Sequence, residues 1–385
     1  MTDRIVLFDP HDIQSRLRPL TLTRPVAHLR QGILTIREKW EKMLPGEYLV
    51  RTADSRLQEL FNPAPAESEG LRISGNVSPT PALVDAVRAL GPDDALVSET
   101  GEIIALRGDG SHSVTFNGEL IAIRSLTDIF SGNDAAISRD FELLTAGRVS
   151  QPLDPTCRLI GDPSRLFIEE GATLLCATVN VTGGPVYIGP GATVMEGVNI
   201  RGSLALCDHS QLNMGAKIYG GTTIGPHSKV GGEVNNVVIT GYSNKAHDGF
   251  LGNAVIGEWC NLGAGCVSSN LKNNYTEPRL WNYATRRFES TGLQFCGLIM
   301  GDHSKAGINT MFNTATMTGI GCNVYGAGFP RTFIPSFEMG GAATGFTRVP
   351  FNKFTDTARR VMARRHCELT PAWEAYLRAL YDEAE

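Results

Sequence analysis

No apolar run in the 385-residue chain approaches the ~18 to 20 residues a membrane-spanning helix needs. At the N-terminus only Ile5–Phe8 is continuously apolar before Asp9, which reads as a strand and is too short for a signal peptide. The chain lacks paired cysteine motifs: Cys157, Cys176, Cys207, Cys260, Cys266, Cys296, Cys322 and Cys367 are scattered, with no C-x-x-C among them. Reduced thiols, mostly buried as small apolar side chains in a cytoplasmic protein, are therefore expected, rather than a disulfide framework. Basic excess is also lacking, with 35 Lys and Arg against 40 Asp and Glu. That balance offers no electrostatic footprint for nucleic acid. His209, His227, His247 and His303 show no close pair at ligand spacing, so no metal site is expected.

What is abundant is glycine, 42 residues, concentrated after residue 160. Within that region aliphatic residues fall every sixth position: Ile188, Val194, Ile200, Leu206, Leu212, Ile218, Ile224 and Val230. Ile168 with Leu174 gives an earlier copy; Ile256 with Leu262 and Ile308 with Ile320 continue the pattern. A period of six is neither that of a helix nor that of an alternating strand. It is the period of a solenoid whose short flat walls turn every sixth residue, with the aliphatic side chain inward and small residues at the corners. Residues 273–288 interrupt it and read as a hairpin-like insertion. After Phe351 the period stops and two helices are expected, Phe354–His366 and, capped by Thr370-Pro371, Ala372–Ala384.

The chain is long enough for more than one domain. Its first 150 residues alternate strand and helix patterns. Ile5–Phe8, Tyr48–Val50, Leu71–Ser74, Ala95–Ser98 and Glu102–Arg107 read as strands. Ile33–Leu44, Asp54–Phe61, Pro81–Leu90 and Ser125–Leu144 read as helices, with a Pro- and Glu-rich loop at 62–69. That alternation predicts an α/β domain with a mainly parallel sheet. The expected organisation is an α/β domain over 1–150, a β-solenoid over 151–350 and C-terminal helices over 351–385. The loop Pro19–Gly32, with Arg24 and Arg30 ahead of a helix, suits phosphate binding.

The chemistry is expected in the stretch Gly241–Lys272, dense in glycine and amides and holding one histidine, His247. Transfer of an acyl group from a thioester to an amine, the reaction implied by the resemblance described next, needs a base for the amine proton, and a histidine does this near neutral pH. It also needs N–H donors for the oxyanion, which a glycine-rich coil presents. Bulky side chains would block a thioester's arm, and Gly263-Ala264-Gly265 has none.

Two resemblances sharpen this. The six-residue repeat resembles the left-handed parallel β-helix of hexapeptide acyltransferases, which implies a homotrimer with sites between neighbouring chains. Ser243-Asn-Lys-Ala-His247, Phe250-Leu-Gly252-Asn-Ala, Asn261-Leu-Gly-Ala-Gly265 and Asn270 resemble the acetyltransferase half of the bifunctional N-acetylglucosamine-1-phosphate uridyltransferase / glucosamine-1-phosphate acetyltransferase family. The resemblance implies His247 as general base and Phe250 at an aromatic position against the sugar. It also implies Asn261 and Asn270 as hydrogen-bonding residues and Ala264 between Gly263 and Gly265 at the acetyl-CoA amide; His303, where the chain returns to the coil, reads as a corner residue, with a contact to CoA or substrate as the alternative. Upstream, Val230-Gly-Gly-Glu233-Val-Asn235 is similar to the family's substrate motif, but a two-residue gap must fall before His247. The phosphate cation is then to be sought among Lys217, Lys245 and Lys272.

The N-terminal 150 residues resemble sugar-phosphate nucleotidyltransferases through Pro19–Trp40 and Ile73–Leu90, which brings Arg24, Arg30, Lys39 and Asn76 into question as nucleotide or phosphate contacts. The family's glycine-rich loop and its lysine are missing; Asp9-Pro-His-Asp-Ile and Val26 stand there. Without them a triphosphate loses its backbone cradle and a cation. The leading expectation is an acetyl-CoA-dependent acetyltransferase of an aminosugar phosphate. A uridylyltransferase or bifunctional enzyme making UDP-N-acetylglucosamine, using Mg²⁺, is the first alternative, and a sugar-nucleotide-binding scaffold the second.

Overall fold

A computed structural model describes residues 4–65 and 70–384, so residues 66–69 of the expected 62–69 loop lie outside the described residues. The chain forms two compact units, one over residues up to 17, 21–29 and 34–125, the other over residues 18–20, 30–33 and 126 onward.

In the first unit the apolar strand Arg4–Phe8 lies between Glu47–Arg51 and Leu71–Ser74 and runs parallel to both. The six-stranded sheet is mainly parallel, as expected, with one strand reversed and Asp94–Val97 again parallel to His112–Thr115. Ile103–Arg107 runs antiparallel to Leu71–Ser74 and to Asp94–Val97, and His112–Thr115 forms the edge. Only residues 98–102 join Val97 to Ile103, and so short a connection permits a hairpin but no parallel crossover. The helix expected from Ile33 begins at Ile36, because Thr35 accepts from the Glu38 N–H (3.2 Å) while its own N–H donates to the Glu38 carboxylate (2.6 Å). Trp40 anchors this helix, fully buried, its indole N–H donating to the Val77 carbonyl. Pro81–Arg88 is helical from its Thr80 cap as expected.

The second unit is a parallel β-solenoid. One wall stacks Leu166–Ile168, Val186–Ile188, Leu204–Leu206 and Thr222–Ile224. A second stacks Arg158–Ile160, Thr178–Asn180, Asn199–Arg201 and Lys217–Ile218. The third stacks Thr173–Leu174, Thr193–Val194, Gln211–Leu212, Lys229–Val230, Asn244–Lys245, Asn261–Leu262, Lys305–Ala306 and Asn323–Val324. Glu233–Gly241 and Phe250–Glu258 are long enough to round a corner and serve the first two walls together. All eight aliphatic residues in six-residue register are buried. Parallel pairing places each on its counterpart one coil away, which makes one continuous core.

One register expectation is overturned. Ile308 is 72% exposed at a corner, and Ala306 and Phe312 take the inward places of that coil. The insertion shifted the phase, so counting sixes across it misassigns the face. The insertion itself is the expected hairpin, Arg279–Asn282 against Arg287–Ser290, pinned by Trp281 stacked on Phe333 at 4.3 Å.

A single helix over Ser125–Leu144 was expected. The chain instead forms Leu126–Ser131 and Asn133–Thr145, broken at Gly132. A Cβ at Gly132 would lie 2.7 Å from the Gln31 amide nitrogen, which donates to the Asp128 carbonyl at 2.7 Å. The C-terminal helices are Phe351–Ala363 and Pro371–Glu383, packed on the solenoid end through Phe354, edge-on to Phe337. None of the eight cysteines is in a disulfide, and five are buried.

Candidate functional site

The corners between the third and second walls stack in a column. His247 lies in one of them, between Asn244–Lys245 and Phe250–Glu258, with its side chain exposed. Two observations show why it stands proud. Lys229 pairs with Asn244 and Glu233 with Phe250. Between those partners the lower coil has only Val230–Gly232, while the upper has Lys245–Gly249. The lower corner is therefore two residues shorter, three against five. The missing residues leave a step beneath His247.

Gly249 makes the return to the second wall. Its φ of 127° lies outside the range of L side chains, and a Cβ there would lie 2.0 Å from the Cys266 carbonyl oxygen. One coil on, Gly263-Ala264-Gly265 forms the next corner; the Gly265 N–H donates to the Asp248 carbonyl at 3.0 Å. The histidine corner and the glycine-rich corner, separate in the motif, are thus stacked neighbours. Ala264 is exposed at the tip.

On the second wall, Lys217, Glu233 and Phe250 lie side by side on consecutive coils. Asn235 pairs with Gly252. A Cβ on Gly252 would lie 2.6 Å from the Phe250 ring and 2.7 Å from the Asn270 amide nitrogen, so the missing side chain lets ring and amide close over the backbone. The Asn270 amide also donates to the Asn253 side-chain oxygen at 2.8 Å. Lys217, Glu233, Asn235, Phe250 and Asn270 therefore share one platform beside His247.

Other expected residues lie elsewhere. Lys245 occupies the inward row, between Val230 and Leu262, and is 2% exposed. Its ammonium donates to the carbonyls of Gly231 (2.9 Å) and His247 (2.7 Å), and burial pushes its pKa down to about 8. It holds the shortened corner together and is out of reach of a phosphate in solvent. Lys272 sits at the root of the hairpin insertion, its ammonium 3.5 Å from the Glu277 carbonyl. Asn261 is exposed on the third wall between Asn244 and Lys305. His303 lies on another edge, the last member of a stack His209, His227, Tyr242, Trp259, His303, with centroid separations of 4.4 to 6.2 Å. It meets Phe354 of the C-terminal helix edge-on, which assigns it to packing.

In the first unit Arg24, Lys39 and Asn76 are all buried. Asn76 clasps the Ile123 carbonyl and accepts from the Ser74 hydroxyl. Arg30, which groups with the second unit, turns back to its own neighbour, the Ile33 carbonyl. None of the four presents a free cation or amide to a crevice. The signal missed in the sequence was Asp9, at the carboxyl end of the central parallel strand, where open α/β sheets bind ligands. It lines a cleft of about 370 Å³ with Arg51 and Arg72. Its Oδ1 accepts from the Val26 N–H at 2.8 Å, so the carboxylate closes the loop that a glycine-rich segment would have left open.

Burial pushes the Asp9 pKa up to about 7, against the pull of the Val26 and Ala53 N–H groups. The folded protein then keeps a proton that the unfolded chain releases near pH 4, so stability falls as pH rises from about 4 to about 7 and stays lower above it. Asp9→Asn is expected to remove that slope and to be the more stable protein at pH 8 by on the order of 2 kcal/mol or more, with little difference at pH 4. Urea midpoints at the two pH values check this; parallel slopes for parent and variant refute it. This carboxyl is the only one lining the cleft among the described residues.

Residues 5–149 match the family model described as sugar nucleotidyl transferase. The chain is 32% identical over 90 residues to a bifunctional protein GlmU of Methanocaldococcus jannaschii, covering 23% of this chain and 21% of that protein. It is 25% identical over 174 residues to the bifunctional protein GlmU of Pelobacter propionicus, 39% of this chain and 37% of that one. The chain thus spans well under half the length of the curated relatives it matches. Among solved structures it is similar to an Arabidopsis UDP-N-acetylglucosamine acyltransferase, at 14% identity and a TM-score of 0.25, covering 54% of this chain and 76% of that chain. A UDP-N-acetylglucosamine acyltransferase from Campylobacter jejuni gives 16% identity and a TM-score of 0.23, covering 61% and 91%.

Proposed function

We propose, for a chain that is a divergent GlmU-like family member, an acetyl-CoA-dependent N-acetyltransferase that acts on an aminosugar phosphate, with glucosamine-1-phosphate as the leading acceptor. The observation that carries this reading is the stacking of the His247 corner on the Gly263-Ala264-Gly265 corner, with the Phe250–Asn270 platform alongside. His247 accepts the proton of the attacking amine. The small corner at Ala264 admits the thioester arm, and backbone N–H groups there face the oxyanion. Phe250, over Gly252, carries the apolar face of the sugar, while Asn270, Asn235 and Glu233 hold its hydroxyls. Lys217 is the exposed cation on that platform. A homotrimer, with these corners near a neighbouring chain, belongs to the same reading.

Thiol release from acetyl-CoA in the presence of glucosamine-1-phosphate tests it. Release that depends on the acceptor is the expected result; no release across a panel of aminosugar phosphates overturns it.

The match of residues 5–149 favours a second activity, uridylyl transfer to a sugar 1-phosphate. Against it stands the Asp9-closed loop, where Pro10 leads directly into the helix His11–Arg16. Pyrophosphate release from UTP and N-acetylglucosamine-1-phosphate with Mg²⁺ is therefore expected to be weak or absent.

A further inference from the structure

The third wall of the solenoid carries a second cleft, away from the platform. It has a volume of about 450 Å³, within the range of small-ligand sites. Its floor is the outward row of consecutive coils, Lys229, Asn244, Asn261 and Lys305, spaced by about 4.8 Å as parallel neighbours are. Its rim is the end of the helix Phe351–Ala363, followed by Arg364 and Arg365. Four cations thus converge, and no Asp or Glu is among the described residues lining the cleft.

The four are not equally engaged. Arg365 fastens the helix end to the wall, donating to the His227 carbonyl (3.3 Å) and the Asn244 side-chain oxygen (3.2 Å). Lys305 donates to the carbonyls of Trp259 (2.7 Å) and His303 (2.9 Å), which leaves one of its three N–H bonds. Lys229 and Arg364 are exposed and have no carboxylate partner among the described residues. Cations gathered this closely repel one another, and the repulsion grows as water is excluded; the buried Asp302 carboxylate offsets it in part, at Lys305. Burial also pushes the Lys305 pKa down to about 8, a cost that a bound anion would offset. The helix end explains only part of the cluster: its two arginines suit a C-terminal dipole, but Lys229 and Lys305 come from the wall.

We propose that this cleft is a binding site for a phosphate or pyrophosphate group, with Lys229, Lys305, Arg364 and Arg365 supplying the charge and Asn261 a neutral donor. Both the donor and the acceptor of the proposed reaction bear phosphates, and Ala246, next to His247, lines the cleft. The identity of the natural ligand rests on that reading; the anion site does not.

The test is calorimetric titration of the full chain, at fixed ionic strength, with inorganic pyrophosphate, CoA and glucosamine-1-phosphate in separate arms. Lys229→Ala/Arg364→Ala, both exposed, is expected to weaken pyrophosphate binding at least tenfold with an unchanged melting temperature. Lys305→Met is the second variant, keeping the buried stem and removing the charge, and is expected to weaken it likewise. A parallel loss in the CoA arm alone identifies the donor's phosphates; a loss in the glucosamine-1-phosphate arm alone identifies the acceptor's. Absence of pyrophosphate binding to the parent at millimolar concentration, or binding unchanged in both variants, overturns the proposal. Pyrophosphate binding lost in the variants, from a parent that releases no thiol from acetyl-CoA, upholds the site and sinks only the acetyltransferase reading.

Discussion

His247→Ala is expected to lower the turnover of acceptor-dependent thiol release by roughly 10²- to 10⁴-fold, the usual contribution of a positioned general base. The protein should keep its fold. The imidazole is exposed, so truncating it costs little stability. What the interior holds at this residue is its carbonyl, which accepts from the Lys245 ammonium, and alanine retains that carbonyl. Affinity for acetyl-CoA should be nearly unchanged, because the glycine-rich corner is a separate coil. A turnover number within threefold of the parent, at equal melting temperature, would exclude His247 as the base.

Gly249→Ala is expected to cost about 3 kcal/mol or more of stability and to abolish activity in whatever remains folded. Two penalties coincide at this residue. Its φ of 127° belongs to a region open essentially to glycine, and the added methyl would lie 2.0 Å from the Cys266 carbonyl oxygen one coil away. Relief requires moving the corner, and with it His247 two residues before and Phe250 immediately after. Gly292→Ala is the matched control: its φ is 67°, nothing lies within 4 Å of the new Cβ, and a cost of about 1 kcal/mol is expected. Urea denaturation of both variants decides the matter. Equal midpoints would mean that the corner is not specified by close packing.

The solenoid was legible because its signal is local and repeated. Each aliphatic residue from Ile188 to Val230 faces inward for the same reason, and errors in one coil do not propagate to the next. The count failed at Ile308, beyond the hairpin: the insertion was legible, but the phase in which the coil resumes after it was not. The two-residue gap before His247 was legible as a number. That the corner Val230–Gly232 is two residues shorter than the one stacked on it was not, since glycines flank many corners. Lys245 shows the deeper limit. A lysine beside a candidate base reads as a solvent-facing cation, yet it fills an aliphatic place because the shortened corner leaves two carbonyls facing inward. In the α/β unit, strand positions followed from apolar runs, but strand direction followed from loop length. Arg24 was read from its place in a loop ahead of a helix, and Lys39 and Asn76 from a resemblance; neither says anything of burial.

From residue order alone came the α/β domain, the six-residue solenoid and the histidine in a glycine-rich stretch, because spacing along the chain dictates which side chains share a face. Only the tertiary structure decided which coils adjoin. It stacked the His247 corner on Gly263–Gly265, laid Phe250 over Gly252 beside Asn270, and turned Lys245 inward. It also drew Lys229, Lys305, Arg364 and Arg365 into one cleft. Those residues are remote in sequence, and a solenoid brings remote residues together by its pitch and its end caps, quantities that no local pattern encodes.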